Sequence, residues 1–201
     1  MEAVMSPNID TIQLFLTAIT NPWIDHTKSA ELEIRCIAEG RQIKFRRFCS
    51  ESVQQASHYA ETMNTHEFNI YACINPVSSS TLPETKAASD VDILQAHFAF
   101  ADCDTLGSAQ ALENNAPQYD FCVITGKQPH LRCHFYWQFN QPVSDLKDWK
   151  ETQKTIAKVY GADEKVCNPS RFMRVAGTIA YPSTKKQRSG YVTELTRVTG
   201  L

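Results

Sequence analysis

The stretch Gln95-Ala-His-Phe-Ala-Phe-Ala-Asp-Cys-Asp104 constrains this chain more than any other. It reads as an apolar strand that ends in two carboxylates one residue apart. Side chains at i and i+2 of an extended strand share a face, so Asp102 and Asp104 point the same way. Two like charges at that spacing repel each other and weaken a sheet unless a cation neutralises them. Hard divalent ions take carboxylate oxygens, and Mg²⁺ is usually held by one or two carboxylates together with substrate phosphates. The placement points to metal-assisted phosphoryl chemistry. Taken alone, Asp-Cys-Asp-Thr also fits a polar strand end that caps the following helix.

The second half of the chain weighs against the capping reading. The segment Arg132-Cys-His-Phe-Tyr-Trp-Gln-Phe139 alternates polar and apolar residues. Cys133, Phe135, Trp137 and Phe139 fall on one strand face, and Arg132, His134, Tyr136 and Gln138 on the other. His134 therefore projects from the polar face beside Arg132. The preceding loop, Thr125-Gly-Lys-Gln-Pro129, places Lys127 within reach of the same region. Gly161-Ala-Asp-Glu164 offers a further carboxylate, Asp163, just after an amphipathic helix. Asn168 to Thr178 then carries Arg171 and Arg174, three residues apart. Carboxylates to hold metal, with a histidine and arginines to hold phosphate, make a coherent nucleotide site.

In this order the motifs resemble those of the catalytic domain of the archaeo-eukaryotic primase superfamily, the primase-polymerases, and look most like the RepB-type primases of plasmids and phages. The family pattern is Asp-x-Asp/Glu, then small-x-His, then hydrophobic-Asp. It matches Asp102-Cys-Asp104, Arg132-Cys-His134 and Ala162-Asp163. Arg171-Phe-Met-Arg174-Val-Ala-Gly-Thr, with Lys186 trailing, resembles the family's Arg-x-x-Arg-hydrophobic-Pro-Gly-Thr segment. Asn69-Ile-Tyr-Ala-Cys-Ile-Asn-Pro76 is similar to a recurrent strand and Asn-Pro element. The resemblance spans about residues 65 to 198. It departs from the pattern at Arg132, where a small residue is usual, at Ala162, a weak hydrophobe, and at Ala176, which replaces the turn proline. None of these removes an acid or the histidine.

The resemblance implies a nucleotidyltransferase that copies a single-stranded DNA template into a primer or longer DNA from nucleoside triphosphates. It implies that Asp102, Asp104 and Asp163 hold two Mg²⁺ or Mn²⁺ ions, one activating a 3′-hydroxyl and the other supporting the leaving pyrophosphate. His134, Arg171 and Arg174 would neutralise triphosphate oxygens, with Arg132 and Lys127 as helpers. A helicase domain or protein is the implied partner in plasmid or phage replication. A chain ending at Gly200-Leu201 just after an expected strand fits a catalytic domain, residues 1–201, excised from a longer replication protein.

Two other functions are compatible with a similar sheet. A replication-initiator endonuclease that nicks DNA through tyrosine needs two histidines bracketing one residue on a strand, and here Arg132 and His134 bracket Cys133. A catalytically inactive module that holds single-stranded nucleic acid on an RRM-like face is the other. The intact carboxylates count against it.

Composition narrows the setting. A net charge of −2 over 201 residues excludes a uniformly basic nucleic-acid coat. It leaves room for local basic clusters, at Arg41, Lys44, Arg46 and Arg47 and at Lys185, Lys186 and Arg188, which also read as solvated faces. Seven cysteines lie without paired Cys-x-x-Cys spacing, several inside apolar strands, which fits a reducing cytoplasm and not a zinc site. No run approaches the ~18 apolar residues of a membrane span, so no membrane partner is expected.

Strands and helices mix without repeated βαβ units, so the expected class is α+β with a mixed or antiparallel sheet. The resemblance implies an N-terminal α/β lobe packed on an RRM-like catalytic lobe, with the cleft between them. Periodicity predicts a helix from Asn8 to Ile19 stopped by Pro22, and a hairpin of Leu32–Ala38 and Arg41–Phe48 across Glu39-Gly40. It predicts a helix from a Ser50 cap to Met63, a strand at Phe68–Ile74, and a mobile loop from Pro76 to Ala88. After the acidic strand come a helix at about Thr105–Asn114, a strand at Asp120–Thr125, the histidine strand and a helix at Ser144–Tyr160. Strands around Val175–Tyr181 and Tyr191–Val198 finish the chain.

Overall fold

The structure, a computed structural model, describes residues 5–24, 30–78, 83 and 85–201. Helix α1 (Ile9–Ile24) forms because Ile12, Phe15, Leu16, Ile19 and Trp23 recur at helical spacing, and all five are fully buried. Asn8 starts it by accepting the Thr11 N–H on its side-chain oxygen at 2.9 Å. Pro22 does not stop the helix, as its sequence position suggests, but lies in the last turn. A proline there forfeits one hydrogen bond, and the packed face carries the helix through to Ile24.

Strands β1 (Ala30–Ile37) and β2 (Lys44–Cys49) pair antiparallel, joined by a turn wider than two residues in which Gly40 takes a φ of 71°. Helix α2 (Val53–Thr65) follows, capped at position 52 and not by Ser50, whose N–H instead bonds Ala30 O. Strand β3 (Asn69–Cys73) pairs with β1, and β4 (Val77–Ser78) adds two residues to it. Part of the expected mobile loop, residues 79–82 and 84, lies outside the described residues. Its far end is anchored: Ala88 is buried and donates its N–H to the Glu33 carboxylate at 3.0 Å.

The second sheet begins with β5 (Ala96–Cys103), followed by α3 (Ser108–Asn115), β6 (Phe121–Gly126) and β7 (Arg132–Val143). Helix α4 (Leu146–Tyr160) starts on Asp145, which accepts the N–H groups of Lys147 and Asp148, and ends on Gly161 at φ 68°. The chain then returns to the first sheet as β8 (Phe172–Arg174), makes β9 (Ile179–Ala180), the short helix α5 (Thr184–Arg188), β10 (Glu194–Leu195) and β11 (Arg197–Thr199). Of the expected Val175–Tyr181 strand only β9 forms, after a turn in which Gly177 takes a φ of 80°; β8 lies before it, and α5 has no counterpart in the sequence reading.

The strand orders are β2-β1-β3-β8, with β4 also on β1, and β11-β6-β7-β5, with β9 and β10 forming a small separate pair. Every pairing among the described residues is antiparallel, which resolves the expected mixed or antiparallel sheet and bears out the α+β class. One core joins both sheets. Phe15 of α1 meets Phe121 and Tyr136 edge-on at 6.2 and 6.1 Å, while Leu32, Ile34 and Ile70 of the first sheet belong to the same cluster. A second cluster, with Cys103, Cys133 and Phe135, fills the other face of the second sheet under α3 and α4.

This two-sided cover decides what each face meets. Tyr136 shares the face of Arg132, His134 and Gln138, and is fully buried and stacked on Phe121 at 4.5 Å. The register is as expected; the face turns from polar to core because α1 lies over it. At the edge of this sheet, the Gln153 side chain accepts the Phe100 N–H at 3.1 Å and donates to Phe100 O at 2.8 Å. The Trp149 indole N–H donates to Phe98 O beside it at 2.9 Å.

Candidate active site

The alternation along β5 builds the site. Phe98 and Phe100 point into the shared core and Cys103 into the second cluster. Asp102 and Asp104 continue the face of Phe98 and Phe100 beyond the end of that core. Strand pairing sets Asp102 directly opposite His134, whose Nε2 lies 3.5 Å from Asp102 Oδ1. The return of β8 to β3 brings Arg171 and Arg174 in from the first sheet. All five residues line one cleft of about 790 Å³ between the outer face of the first sheet and the end of the second. That volume is within the range of small-molecule sites.

Three buried polar atoms here have no hydrogen-bond partner: Asp102 Oδ1, His134 Nδ1 and Arg171 Nε. Orphaned buried polar atoms are costly, and their convergence marks a place built for a ligand. Burial, followed by the charge of Asp104, pushes the Asp102 carboxyl up to about 7, against the pull of Arg171. Burial also holds the His134 imidazole down at about 3, so the ring is neutral and offers one N–H. A divalent cation fits this donor set: it would relieve the repulsion between two carboxylates and take the Asp102 oxygen that has no hydrogen bond.

Asp163 stands apart from that pair. Its N–H donates to Asp102 O at 2.9 Å, which fixes it next to the acidic strand. Its exposed carboxylate, however, accepts the Lys165 N–H at 2.9 Å and does not line the cleft. No group of three or more metal-ligating side chains converges among the described residues. The observed carboxylate set is therefore Asp102 and Asp104.

The two expected helpers have other partners. Arg132 lines the cleft, but its guanidinium donates to Glu194 Oε2 at 3.1 Å, to His130 O at 3.2 Å and to Gln128 O, and lies over the Tyr191 ring. It clamps the loop before β7 onto β10. Gly126 makes room for the clamp, since a Cβ there would run into the Arg132 guanidinium. Lys127 is exposed and outside the cleft lining, with its backbone N–H held by Glu194 at 2.8 Å.

Three further residues line the cleft, none of them assigned a role by the sequence. Lys186, the trailing lysine of the motif, places its Nζ 3.9 Å from Asp104 Oδ2, carried there by α5. Asn69 and Tyr71 face the cleft from β3 and bind Arg174. Their period-two spacing on an expected strand was the available signal. The segment 168–170 before Arg171 is held by Asp90, which accepts from Ser170 N, Ser170 Oγ and Asn168 Nδ2.

This arrangement of antiparallel sheets and helices is the fold of primase-polymerase catalytic domains. The primase-polymerase domain of cyanophage S-2L matches with a TM-score of 0.67 and 23% identity, over 98% of this chain and 94% of that one. The primase RepB′ matches with a TM-score of 0.56 and 12% identity, over 92% of this chain and 56% of that one. The RepB′ catalytic domain in complex with initiator DNA matches with a TM-score of 0.52 and 13% identity, over 90% of this chain and 84% of that one. No family model and no curated protein matches the sequence. No helix among the described residues is long and apolar enough to cross a membrane.

Proposed function

We propose that the chain, residues 1–201, is a primase-polymerase catalytic domain: a nucleotidyltransferase that copies single-stranded DNA from nucleoside triphosphates. The observation that carries this reading is the unpartnered Asp102 Oδ1 beside Asp104, facing the unpartnered Arg171 Nε across a cleft. Asp102 and Asp104 would hold divalent ions, Mg²⁺ or Mn²⁺, with Asp163 adjacent on the backbone and able to join once its carboxylate leaves Lys165 N. Bound there, the ions would activate a 3′-hydroxyl and stabilise the leaving pyrophosphate. Arg171 and Arg174 supply planar paired donors for triphosphate oxygens, and Lys186 a point charge. Neutral His134 would donate one hydrogen bond without adding repulsion toward the metal. The RepB′ catalytic domain in complex with initiator DNA supports a nucleic-acid partner, and the cyanophage primase-polymerase domain supports a role in replication; a helicase domain or protein that exposes the template would be the further partner in plasmid or phage replication.

Incorporation of labelled nucleotide on a single-stranded template, with Mg²⁺ or Mn²⁺, tests the proposal. The wild-type chain should extend, and Asp104→Ala should not while keeping its melting temperature. A wild-type chain that binds single-stranded DNA yet incorporates nothing would return the protein to the inactive binding module.

A further inference from the structure

The Arg174 guanidinium is held in a fixed plane by two residues of β3. Its Nη1 donates to Asn69 Oδ1 at 2.7 Å and its Nη2 to the Tyr71 hydroxyl at 2.9 Å. The guanidinium carbon also lies 4.9 Å from the centroid of the Tyr71 ring. A guanidinium has five N–H donors, so two acceptors placed on one side leave the others for a ligand. Asn69 does more than this. The same Oδ1 accepts the Tyr181 N–H at 2.9 Å, and its Nδ2 donates to Tyr181 O at 2.8 Å. Tyr181 leads through Pro182 and the Ser183 cap into α5, which carries Lys186 to Asp104. Thr184 at the start of α5 is tied to Glu39 by two bonds of 2.8 Å, so the helix is pinned at both of these points.

We infer that Asn69 and Tyr71 are positioning residues for triphosphate binding: they set the Arg174 guanidinium, and Asn69 also anchors the segment that delivers Lys186. The inference rests on the proposed nucleotidyltransferase reading. The local chemistry explains the residue types. Asn69 must both accept from a cation and clasp one residue's N–H and C=O, which a carboxylate, having no donor, does not do. A phenol accepts from Arg174 and presents a π face to it, with no negative charge to neutralise the cation.

Asn69→Ala and Tyr71→Phe, each made in the wild-type and Arg174→Ala backgrounds, test this. Tyr71→Phe keeps the ring and its packing, so it reports even if Asn69→Ala folds poorly. Asn69→Ala should raise the apparent nucleotide KM roughly tenfold, the scale of one hydrogen bond to a charged group. Tyr71→Phe should raise it several-fold, with kcat nearly unchanged in both, because binding is weakened equally in ground and transition states. In the Arg174→Ala background Tyr71→Phe should not raise KM further, since the group it orients is gone, and Asn69→Ala should keep only the smaller part that acts through Lys186. A Tyr71→Phe effect that adds in that background, an Asn69→Ala effect undiminished in it, or a Tyr71→Phe chain with wild-type KM would overturn the positioning role and leave the nucleotidyltransferase reading standing. A wild-type chain that neither incorporates nor binds nucleotide with Mg²⁺ or Mn²⁺ would overturn both.

Discussion

Asp102→Asn should stabilise the metal-free protein while abolishing its activity, and the stabilisation should depend on pH. Raising a carboxyl from 3.8 to about 7 means that ionising it in the folded chain costs roughly 4 kcal/mol. The side chain keeps 15% of its exposure, and Arg171 offsets part of the repulsion, so the realised gain should be about 1–3 kcal/mol. The sign follows from the direction of the shift. Below about pH 4 the carboxyl is neutral in both states, and the two proteins should melt alike. Between about pH 4 and 7 the unfolded wild type ionises while the folded chain keeps its proton, so wild type loses stability relative to the variant. Above about pH 7 the full difference is present. His134, neutral in the fold, weakens both proteins as pH falls below 6.5. For a chain of this length each kcal/mol moves Tm by about 2–4 °C. Thermal melts at pH 4.5 and 8, with and without Mn²⁺, give the readout. Mn²⁺ should raise the wild-type Tm at pH 8 and do little for the variant. A variant less stable than wild type at pH 8, or a gap that is the same at both pH values, would refute the claim that Asp102 is a strained carboxylate awaiting a cation.

Arg171→Lys and Arg174→Lys should each raise the nucleotide KM markedly despite keeping the charge, because lysine cannot reproduce the planar fork. Steady-state kinetics beside DNA titrations at two salt concentrations decides this, and an unchanged KM with weakened, salt-sensitive DNA binding would move the arginines to the template. His134→Ala should weaken triphosphate binding by roughly tenfold, the scale of one lost hydrogen bond to a charged ligand, and template binding much less; calorimetric titration with each ligand would expose an equal loss for both. Gly177→Ala should cost about 2–5 kcal/mol in denaturant melts, since a Cβ there meets Asn8 O at 2.7 Å and Ile12 N at 2.8 Å on top of a φ of 80°. Wild-type stability in that variant would show that the turn and α1 separate freely.

The acidic pair was legible because a period of two needs only local sequence: Phe98, Phe100 and Cys103 fix which way Asp102 and Asp104 face. His134 was legible for the same reason, and its pairing with Asp102 follows from register. Alternation sets Tyr136 on the face of Arg132 and His134 but does not say that α1 covers that face, because it tells the faces apart without saying what covers each. Pro22 and Ser50 misled in a related way, since tertiary packing of Ile19 and Trp23 outweighs one missing backbone donor, and a buried serine next to β1 serves the sheet instead of a helix. Arg132 and Lys127 were assigned by proximity in sequence, but Glu194, far along the chain, decides where both go. Asn69 and Arg174 lie 105 positions apart, and nothing in either neighbourhood announces the bond between them. The order of the motifs carried the fold; the contacts that orient the motif side chains emerged only in three dimensions.

The Gln153 amide presents to Phe100 the same N–H and C=O pair that a neighbouring peptide group would, so α4 ends the sheet at β5 with a counterfeit of a fifth strand. An extended segment from another protein therefore finds no unsatisfied ladder at that point beside the acidic residues. Natural sheets protect such margins with charges, bulges or short strands, and here the protection falls to two side chains of α4, Gln153 and Trp149, that also lock the helix in place. The opposite margin, β11, is only three residues long. Strand-adding partners and fibrous self-association are thus turned away from both sides of the sheet that carries the acids, while its strand ends stay open to the cleft.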